Sequence, residues 1–259
     1  MTPHRSMTIN PGKWLLFAAF VLAWEYGVRL FEIPQFILPP PGMIASKVFR
    51  DLATGVILPD LQITLLEVLT GFVSGAIVGL AVGAAIALIP VVESWAYPYI
   101  LALQTIPKVA IAPLIIIWFG YGIQSKILMA ALISFFPILV NVIAGLKTAD
   151  PRRLLLMRAL KANGWQTFFK VRLPGMLPFY LAGLEVGIVF AVIGAIVAEF
   201  VGANSGLGSL IVKRQSAIDV VGVFSVLVYL SLMGLSLNAI VQWIGARFVF
   251  WARHENTQI

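Results

Sequence analysis

Long apolar runs alternate with short polar stretches along the whole chain, and most of the runs have no polar face. About 20 predominantly apolar residues are needed to cross the hydrocarbon of a bilayer as a helix. The pattern therefore predicts an all-α membrane protein with six transmembrane helices, at about 14–31, 65–89, 96–120, 126–146, 179–201 and 220–244. They lie in one transmembrane domain of residues 14–250, between an N-terminal tail of 1–13 and a C-terminal tail of 251–259. No small-residue cleavage site follows the first apolar run, so it reads as a retained span.

Taken in order, the spans differ in how they are interrupted. In the first, Glu25 and Arg29 lie four apart and share a helix face, either paired or solvated near the interface. Residues 32–63 form a long external segment. The prolines Pro39, Pro40 and Pro41 hold its start extended, and 44–53 reads as a short amphipathic helix with Ile44, Val48 and Leu52 on one face, lying along the membrane surface. In the second span Gly71, Gly75, Gly79 and Gly83 recur every four residues, a small-residue stripe against which another helix can pack closely. Residues 90–93 read as a tight turn.

The third span is broken by Pro98, Pro107 and Pro113, each of which removes a backbone donor. Lys108 falls near its middle, where a charge is costly and marks a functional candidate. Irregular backbone at that depth survives only beside protein or water. Gln104, Pro107 and Lys108, with Glu185 and Glu199 of the fifth span, are therefore the candidate lining of a translocation path. The structural alternative is that Lys108 snorkels or pairs with Glu185 or Glu199. The fourth span contains Pro137 and Asn141.

Between the fourth and fifth spans the pattern changes. Within the loop 147–174, the stretch 150–174 carries Arg152, Arg153, Arg158, Lys161, Lys170 and Arg172, a third of the chain's 18 lysines and arginines. Asp150 is placed as a helix N-cap and Pro151 as the first helical residue. A helix from 151 to about 163 follows, with Gly164 as its C-terminal cap, and then a second short helix, 165–173, stopped by Pro174. Residues 202–219 read as polar and glycine-rich, with 202–208 as an external turn. With six spans, both termini lie on the side of this loop, and its basic excess makes that side cytoplasmic. Lys47 and Arg50 lie outside, against that trend, with Asp51 and Asp60 nearby.

Composition sharpens the reading. Hydrophobic residues make up 60% and charged residues 11% of the 259, where soluble chains carry about 25% charged residues. Mean hydropathy is +0.98. A soluble helical protein of this kind would need a polar face on each helix. The net charge of +7 fits basic loops beside anionic lipid, and no nucleic-acid motif accompanies it. Without cysteine there are no disulfides or thiolate metal sites. The two histidines, His4 and His254, sit in the tails, so no histidine metal cluster or catalytic triad is predicted, and the chain is read as binding no cofactor. Residues 202–208 are glycine-rich but lack the lysine of a phosphate-binding loop. Uphill transport would thus draw on a partner or an ion gradient.

Several stretches together resemble the permease subunits of bacterial ATP-binding-cassette importers of type I, in the nitrate/sulfonate/taurine branch. They are Leu38-Pro39-Pro40-Pro41, Thr64-Leu65 with Gly71-Phe72, Ile106-Pro107-Lys108-Val109-Ala110-Ile111-Ala112-Pro113-Leu114 running on to Trp118-Phe119-Gly120, Phe136-Pro137-Ile138, and Ala198-Glu199-Phe200 followed by Ser205-Gly206-Leu207-Gly208. The resemblance covers nearly the whole chain. It implies a type I importer permease fold and a transport subunit, not an enzyme. The substrate would be a small solute: nitrate, a sulfonate or taurine-like molecule, or another small organic molecule. A periplasmic or lipid-anchored solute-binding protein would deliver it, and a separate ATPase subunit holding ATP and Mg would supply energy. The permease would be a multi-pass homodimer of the inner membrane. Such permeases carry a cytoplasmic signature of Glu-Ala-Ala, three residues, Gly, nine residues and Ile-x-Leu-Pro. Val171-Arg172-Leu173-Pro174 matches its end, which places Leu155-Leu156-Met157 at Glu-Ala-Ala and Lys161 at the glycine. By resemblance this is the coupling helix that docks on the ATPase, through Leu155, Leu156, Met157, Arg158, Leu160, Lys161 and Gly164. The alternative is a secondary transporter driven by an ion gradient, for which the broken third span and Glu185 and Glu199 would also serve.

Overall fold

The computed structural model describes residues 11–249 and 251, and these contain helices and no strands. His4, Arg5, Arg253 and His254 lie outside the described residues. The helices are α1 (Pro11–Leu30), α2 (Pro41–Ala53), α3 (Leu58–Leu88), α4 (Pro90–Thr105), α5 (Ala112–Phe119), α6 (Ile123–Lys147), α7 (Pro151–Ala159), α8 (Gly164–Thr167), α9 (Leu173–Gly202), α10 (Leu207–Ser216) and α11 (Val220–Phe248). Among the described residues, Leu58–Leu88, Ile123–Lys147, Gly164–Gly202 and Val220–Phe248 are long and apolar enough to cross a membrane, and the bent pair around Pro107 makes a fifth if it counts as one span.

The chain divides into two compact units: residues up to Leu58 with Leu210–Tyr229, and Pro59–Ser209 with the residues from Leu230 on. The core of the second unit is built on α6. The stripe Gly71, Gly75, Gly79 and Gly83 on α3 meets Ala130, Ser134, Ile138 and Val142 on α6, four-residue step against four-residue step. A Cβ at Gly75 would stand 2.5 Å from Ser134 Oγ and 2.7 Å from the Ala131 carbonyl. Any side chain there forces the helices apart. Across α6, Gly183, Gly187 and Gly194 of α9 give the same close approach to Asn141, Ile138 and Ala130. Lipid offers no hydrophobic drive for helices to associate, so such close backbone packing must hold them together. The apolar side chains left outside, such as Val73, Ile77, Val189 and Leu235, form a surface suited to lipid.

Three of the boundaries that differ from the sequence reading lie around the second, third and last spans. Residues 90–93 are not a turn: Pro90 starts α4, with Ile89 alone as its extended N-cap, because proline is pre-organised for a first helical turn. α3 begins at Leu58, earlier than read, with Asp60 in its first turn. Residues 207–216 form helix α10 inside the polar, glycine-rich stretch, starting at the end of the 202–208 turn. Of the three prolines in the broken span, Pro98 sits inside α4 and Pro113 in the first turn of α5. The break is at Ile106–Pro107, where extended backbone leads into a 3-10 turn at Lys108–Ile111 and the axis bends by 85°.

In the first unit, α2 turns a polar face inward. Ile44 and Asp51 are its buried residues, while Leu52 is half exposed. The face read as Ile44, Val48 and Leu52 is thus rotated toward Asp51. The Asp51 carboxylate pairs with Lys47 at 3.0 Å and with Arg214 of α10 at 2.7 Å, and accepts from Ser225 of α11 at 3.2 Å. Arg214 also donates to the Gly222 carbonyl, and Tyr229 donates to the Val48 carbonyl at 2.7 Å. On α1, Glu25 pairs with Arg29 and accepts from the Gly42 amide at 2.8 Å.

Burial alone would raise the Asp51 carboxyl, but the hydrogen bonds and charges of Lys47 and Arg214 outweigh it and hold the group below its usual value. A carboxyl lowered in the folded state adds stability above its unfolded value, about 3.9. That contribution is lost as pH falls through the folded value. Asp51→Asn is expected to lower thermal stability at pH 7, by about 1.5–3 kcal/mol for each charge-assisted hydrogen bond lost. The gap from the parent should narrow as pH falls below about 4. Melting curves of both proteins at the two pH values check this, and an undiminished gap in acid would refute it.

Candidate functional site

The basic segment forms two short helices joined by a tight reversal. Asp150 caps α7 by accepting from the Arg152 amide at 2.8 Å, with Pro151 at the first position. α7 ends at Ala159, four residues sooner than read. Lys161 takes φ +53°, its amide bonds the Arg158 carbonyl at 2.9 Å, and the Ala162 amide bonds the Met157 carbonyl at 2.9 Å. These two bonds make a Schellman motif, whose left-handed position favours glycine. That position belongs to Lys161 and not to Gly164. Gly164 instead opens α8, where Asn163 and Gln166 form a reciprocal capping box. The glycine of the permease signature thus falls where the backbone is left-handed, and Lys161 adopts the same conformation at a cost of about 1–2 kcal/mol.

Pro174 does not stop the second helix. Phe168–Arg172 form a π-turn that widens the backbone, and the Leu173 amide reaches back to the Phe168 carbonyl. Pro174 then falls in the first turn of α9, where its missing donor costs little. α8 therefore runs through the π-turn into α9 without a gap.

The segment exposes large apolar side chains among its basic ones. Leu155, Leu156 and Leu160 are 61%, 59% and 67% exposed, and Trp165 is 70% exposed. Met157 is half-buried, and Arg158 lines a hollow of about 460 Å³ with Leu154, Ala162, Gly164, Trp165, Phe168 and Arg172. Trp165 and Phe169, whose rings lie 5.0 Å apart, extend the apolar patch and were not singled out from the sequence. Their four-residue spacing in a basic segment was the available signal.

The second site is at the break in the third apolar run. Gln104, Lys108, Phe136, Pro137, Asn141, Val186 and Phe190 are among the residues around a cavity of about 300 Å³. The Lys108 ammonium donates to the Gln104 carbonyl at 3.3 Å and lies 4.7 Å from the centre of the Phe136 ring. It does not pair with Glu185 or Glu199. Pro107 is exposed and makes the bend that turns Lys108 inward. Glu185 lines the neighbouring hollow with Val186, Phe190 and Asn238.

Glu199 is elsewhere, in a buried polar cluster. It accepts from the Thr64 hydroxyl at 2.7 Å and from the Gly208 amide, and the Glu67 carboxyl lies in the same cluster. The Leu207 amide bonds Thr64 Oγ1, and the Gly206 amide bonds Asp60. Gly206 has φ +109°, and a Cβ there would meet the Glu199 carboxyl at 2.4 Å. Lys126, 2% exposed, donates to the carbonyls of Tyr121, Gly122 and Gly202 and lies within electrostatic reach of both glutamates. Glu67 and Lys126 were not singled out from the sequence. An ionisable residue inside an apolar run was the signal for both. Among the described residues no group of acids and histidines could hold a metal.

Comparison with known proteins decides the family. The profile described as "Binding-protein-dependent transport system inner membrane component" matches residues 75–250. The chain belongs to this permease family. It is similar to the riboflavin transport system permease protein RibX of Chloroflexus aurantiacus, 38% identical over 88% of this chain and 85% of that protein. It is similar to the putative aliphatic sulfonates transport permease protein SsuC of Bacillus subtilis, 30% identical over 92% of this chain and 87% of that protein. Its fold is that of the membrane subunit of an amino acid ABC transporter, with a TM-score of 0.63 at 17% identity, over 76% of this chain and 95% of that chain. The permease is therefore a multi-pass inner-membrane transport subunit for a small solute. It is a member of ABC importers, which work with an ATPase and a binding protein.

Proposed function

We propose that this permease carries a small organic solute, released to it by an external binding protein, and takes its energy from a separate ATPase that holds ATP and Mg. Two copies of the chain would form the path, with six spans each and both termini cytoplasmic. ATPase closure would turn the path outward, and hydrolysis would return it inward. Coupling would run through Leu155, Leu156, Met157, Arg158, Leu160, Lys161 and Gly164. The path would be lined by Gln104, Pro107, Lys108 and Glu185, with Glu199 holding its outer end. The chain itself would bind no cofactor.

The observation that carries this reading is the set of exposed apolar side chains on and just after α7, Leu155, Leu156 and Leu160, on a segment joined through the π-turn to α9. Apolar side chains at such exposure on a basic, otherwise solvated segment mark a protein contact. Arg158 and Lys161 at its rim would pair with acids on the partner. The helical continuity gives motion of that partner a stiff route into the membrane.

Reconstitution tests it. Proteoliposomes holding the permease and its ATPase, supplied with the binding protein, should take up solute only with ATP inside. Ionophores that collapse proton and sodium gradients should leave uptake unchanged. Uptake without ATP that collapses with an ionophore would replace this reading with a gradient-driven transporter.

A further inference from the structure

We propose that the hollow between the end of α1 and α2 is a binding site for the headgroup of an anionic phospholipid, phosphatidylglycerol in chemistry, whose acyl chains lie along α1. This rests on the topology proposed above, which puts the end of α1 at the external surface, and goes beyond it by assigning a lipid site outside the transport path.

The hollow, of about 570 Å³, is lined by Arg29 of α1, by Ser46, Lys47 and Arg50 of α2, and by Asp219 just ahead of α11. All of these lie in the first compact unit. Part of the charge is already balanced. Arg29 pairs with Glu25, Lys47 with Asp51, and Asp51 also with Arg214. Asp219 accepts from the Gly222 amide at 2.8 Å. Arg50 is exposed, and no acid among the described residues pairs with it. Arg29, Lys47, Arg50 and Arg214 thus stand against Glu25, Asp51 and Asp219, which leaves one positive charge. A phosphodiester carries one negative charge. Arg50 offers it a whole guanidinium, and Arg29 has donors to spare beyond its pair with Glu25. The Ser46 hydroxyl and the Asp219 carboxylate remain for the hydroxyls of a glycerol headgroup. A choline or ethanolamine headgroup would instead add a cation where one is already in excess.

The surface below the hollow selects a lipid over a soluble phosphate. Leu15 and Leu22 precede Arg29 at intervals of seven residues, two turns of α1, so the three share a face. Leu15, Leu22 and Tyr26 are 69%, 54% and 67% exposed. From Leu15 to Arg29 the strip runs about 21 Å at the helical rise, more than the roughly 15 Å of hydrocarbon in one leaflet. An acyl chain hung from a phosphate at Arg29 is covered along its length. The helix that carries Lys47 and Arg50 also exposes Phe49 and Leu52, which gives the cations an apolar footing on the bilayer surface. A soluble phosphate or an acidic protein surface would use the cations and leave the strip on α1 uncovered.

The test is native mass spectrometry of the complete transporter in detergent, titrated with dioleoyl phosphatidylglycerol or dioleoyl phosphatidylcholine. The first phosphatidylglycerol should bind at least about tenfold more tightly than the first phosphatidylcholine, the scale of one or two cations beside an anionic lipid. Arg50→Gln should cut that preference about fivefold with the melting curve unchanged, and Arg50→Lys should keep most of it. Lys213→Gln, which removes a cation of α10 outside the hollow, should leave it intact. Millimolar glycerol 3-phosphate, which has the headgroup charge without the chains, should not displace the lipid. Equal binding of the two lipids, a preference that survives Arg50→Gln, or an equal loss in Lys213→Gln would overturn the proposal. Displacement by glycerol 3-phosphate would overturn it in favour of a soluble phosphate. Loss of binding-protein docking in Arg50→Gln, with the lipid preference unchanged, would overturn it in favour of a protein contact. ATP-driven uptake is read in parallel. Uptake without a lipid preference refutes only this site, whereas a lipid preference without uptake refutes the transport reading and leaves the site standing.

Discussion

Replacing Leu155 and Leu156 together by Asp is expected to abolish ATP-driven uptake while the permease still folds and inserts. Both side chains are more than half exposed, so their loss empties no core position of this chain. What changes is the surface offered to the ATPase. Each leucine buried in a partner pocket contributes about 1.5–3 kcal/mol, and an Asp in an apolar pocket adds the cost of an unpaired charge. Two such changes weaken association by at least about a hundredfold. The measurements are co-purification of the ATPase with the permease and ATP-dependent uptake in proteoliposomes. Both should fall together, with the melting curve of the permease unchanged. Arg158→Ala should do less, because a charged pair at the rim of an interface contributes more to association rate than to affinity. Full uptake by the double variant would place the ATPase contact elsewhere.

The segment that carries this prediction shows what could be read from the sequence and what could not. Hydropathy alone marks the long apolar helices, since run length is set by bilayer thickness. Asp150-Pro151 announces the start of α7, because cap and first-turn chemistry are local. Its end was misplaced. Gly164 looked like the cap, but the left-handed residue is Lys161, which no propensity would choose. Only the spacing of the permease signature pointed there. The continuation through Pro174 was hidden for a similar reason. A π-turn relieves the proline, and nothing in Phe168–Arg172 announces one. At the cavity, the sequence supplied Gln104 and Lys108 but not Phe136, Asn141, Val186 or Phe190 as their companions. Those come from α6 and α9, and only tertiary packing brings them to α5's entry turn. The glycine stripe was legible as a packing face, while its register against Ala130, Ser134, Ile138 and Val142 was not.

Lys126 is the residue whose loss should cost the fold most. The Glu67 and Glu199 carboxyls share one buried cluster, and Lys126 is the cation within reach of both. Lys126 is 2% exposed, and it also ties Tyr121, Gly122 and Gly202 together through their carbonyls. Lys126→Met fills much of the same volume but removes that cation and leaves three carbonyls that have lost a donor. Removing one partner of a buried charge set costs about 3–5 kcal/mol, a large part of the stability of a typical domain. The expected result is a sharply reduced yield of monodisperse protein in detergent and a lower melting temperature. Adding Glu199→Gln to Lys126→Met tests the charge argument, because Glu199 is the acid that Thr64 and Gly208 hold in this cluster and it is left there without the cation. The double variant should recover part of the loss. No recovery would mean that Lys126 holds the fold through its three carbonyls and not through charge.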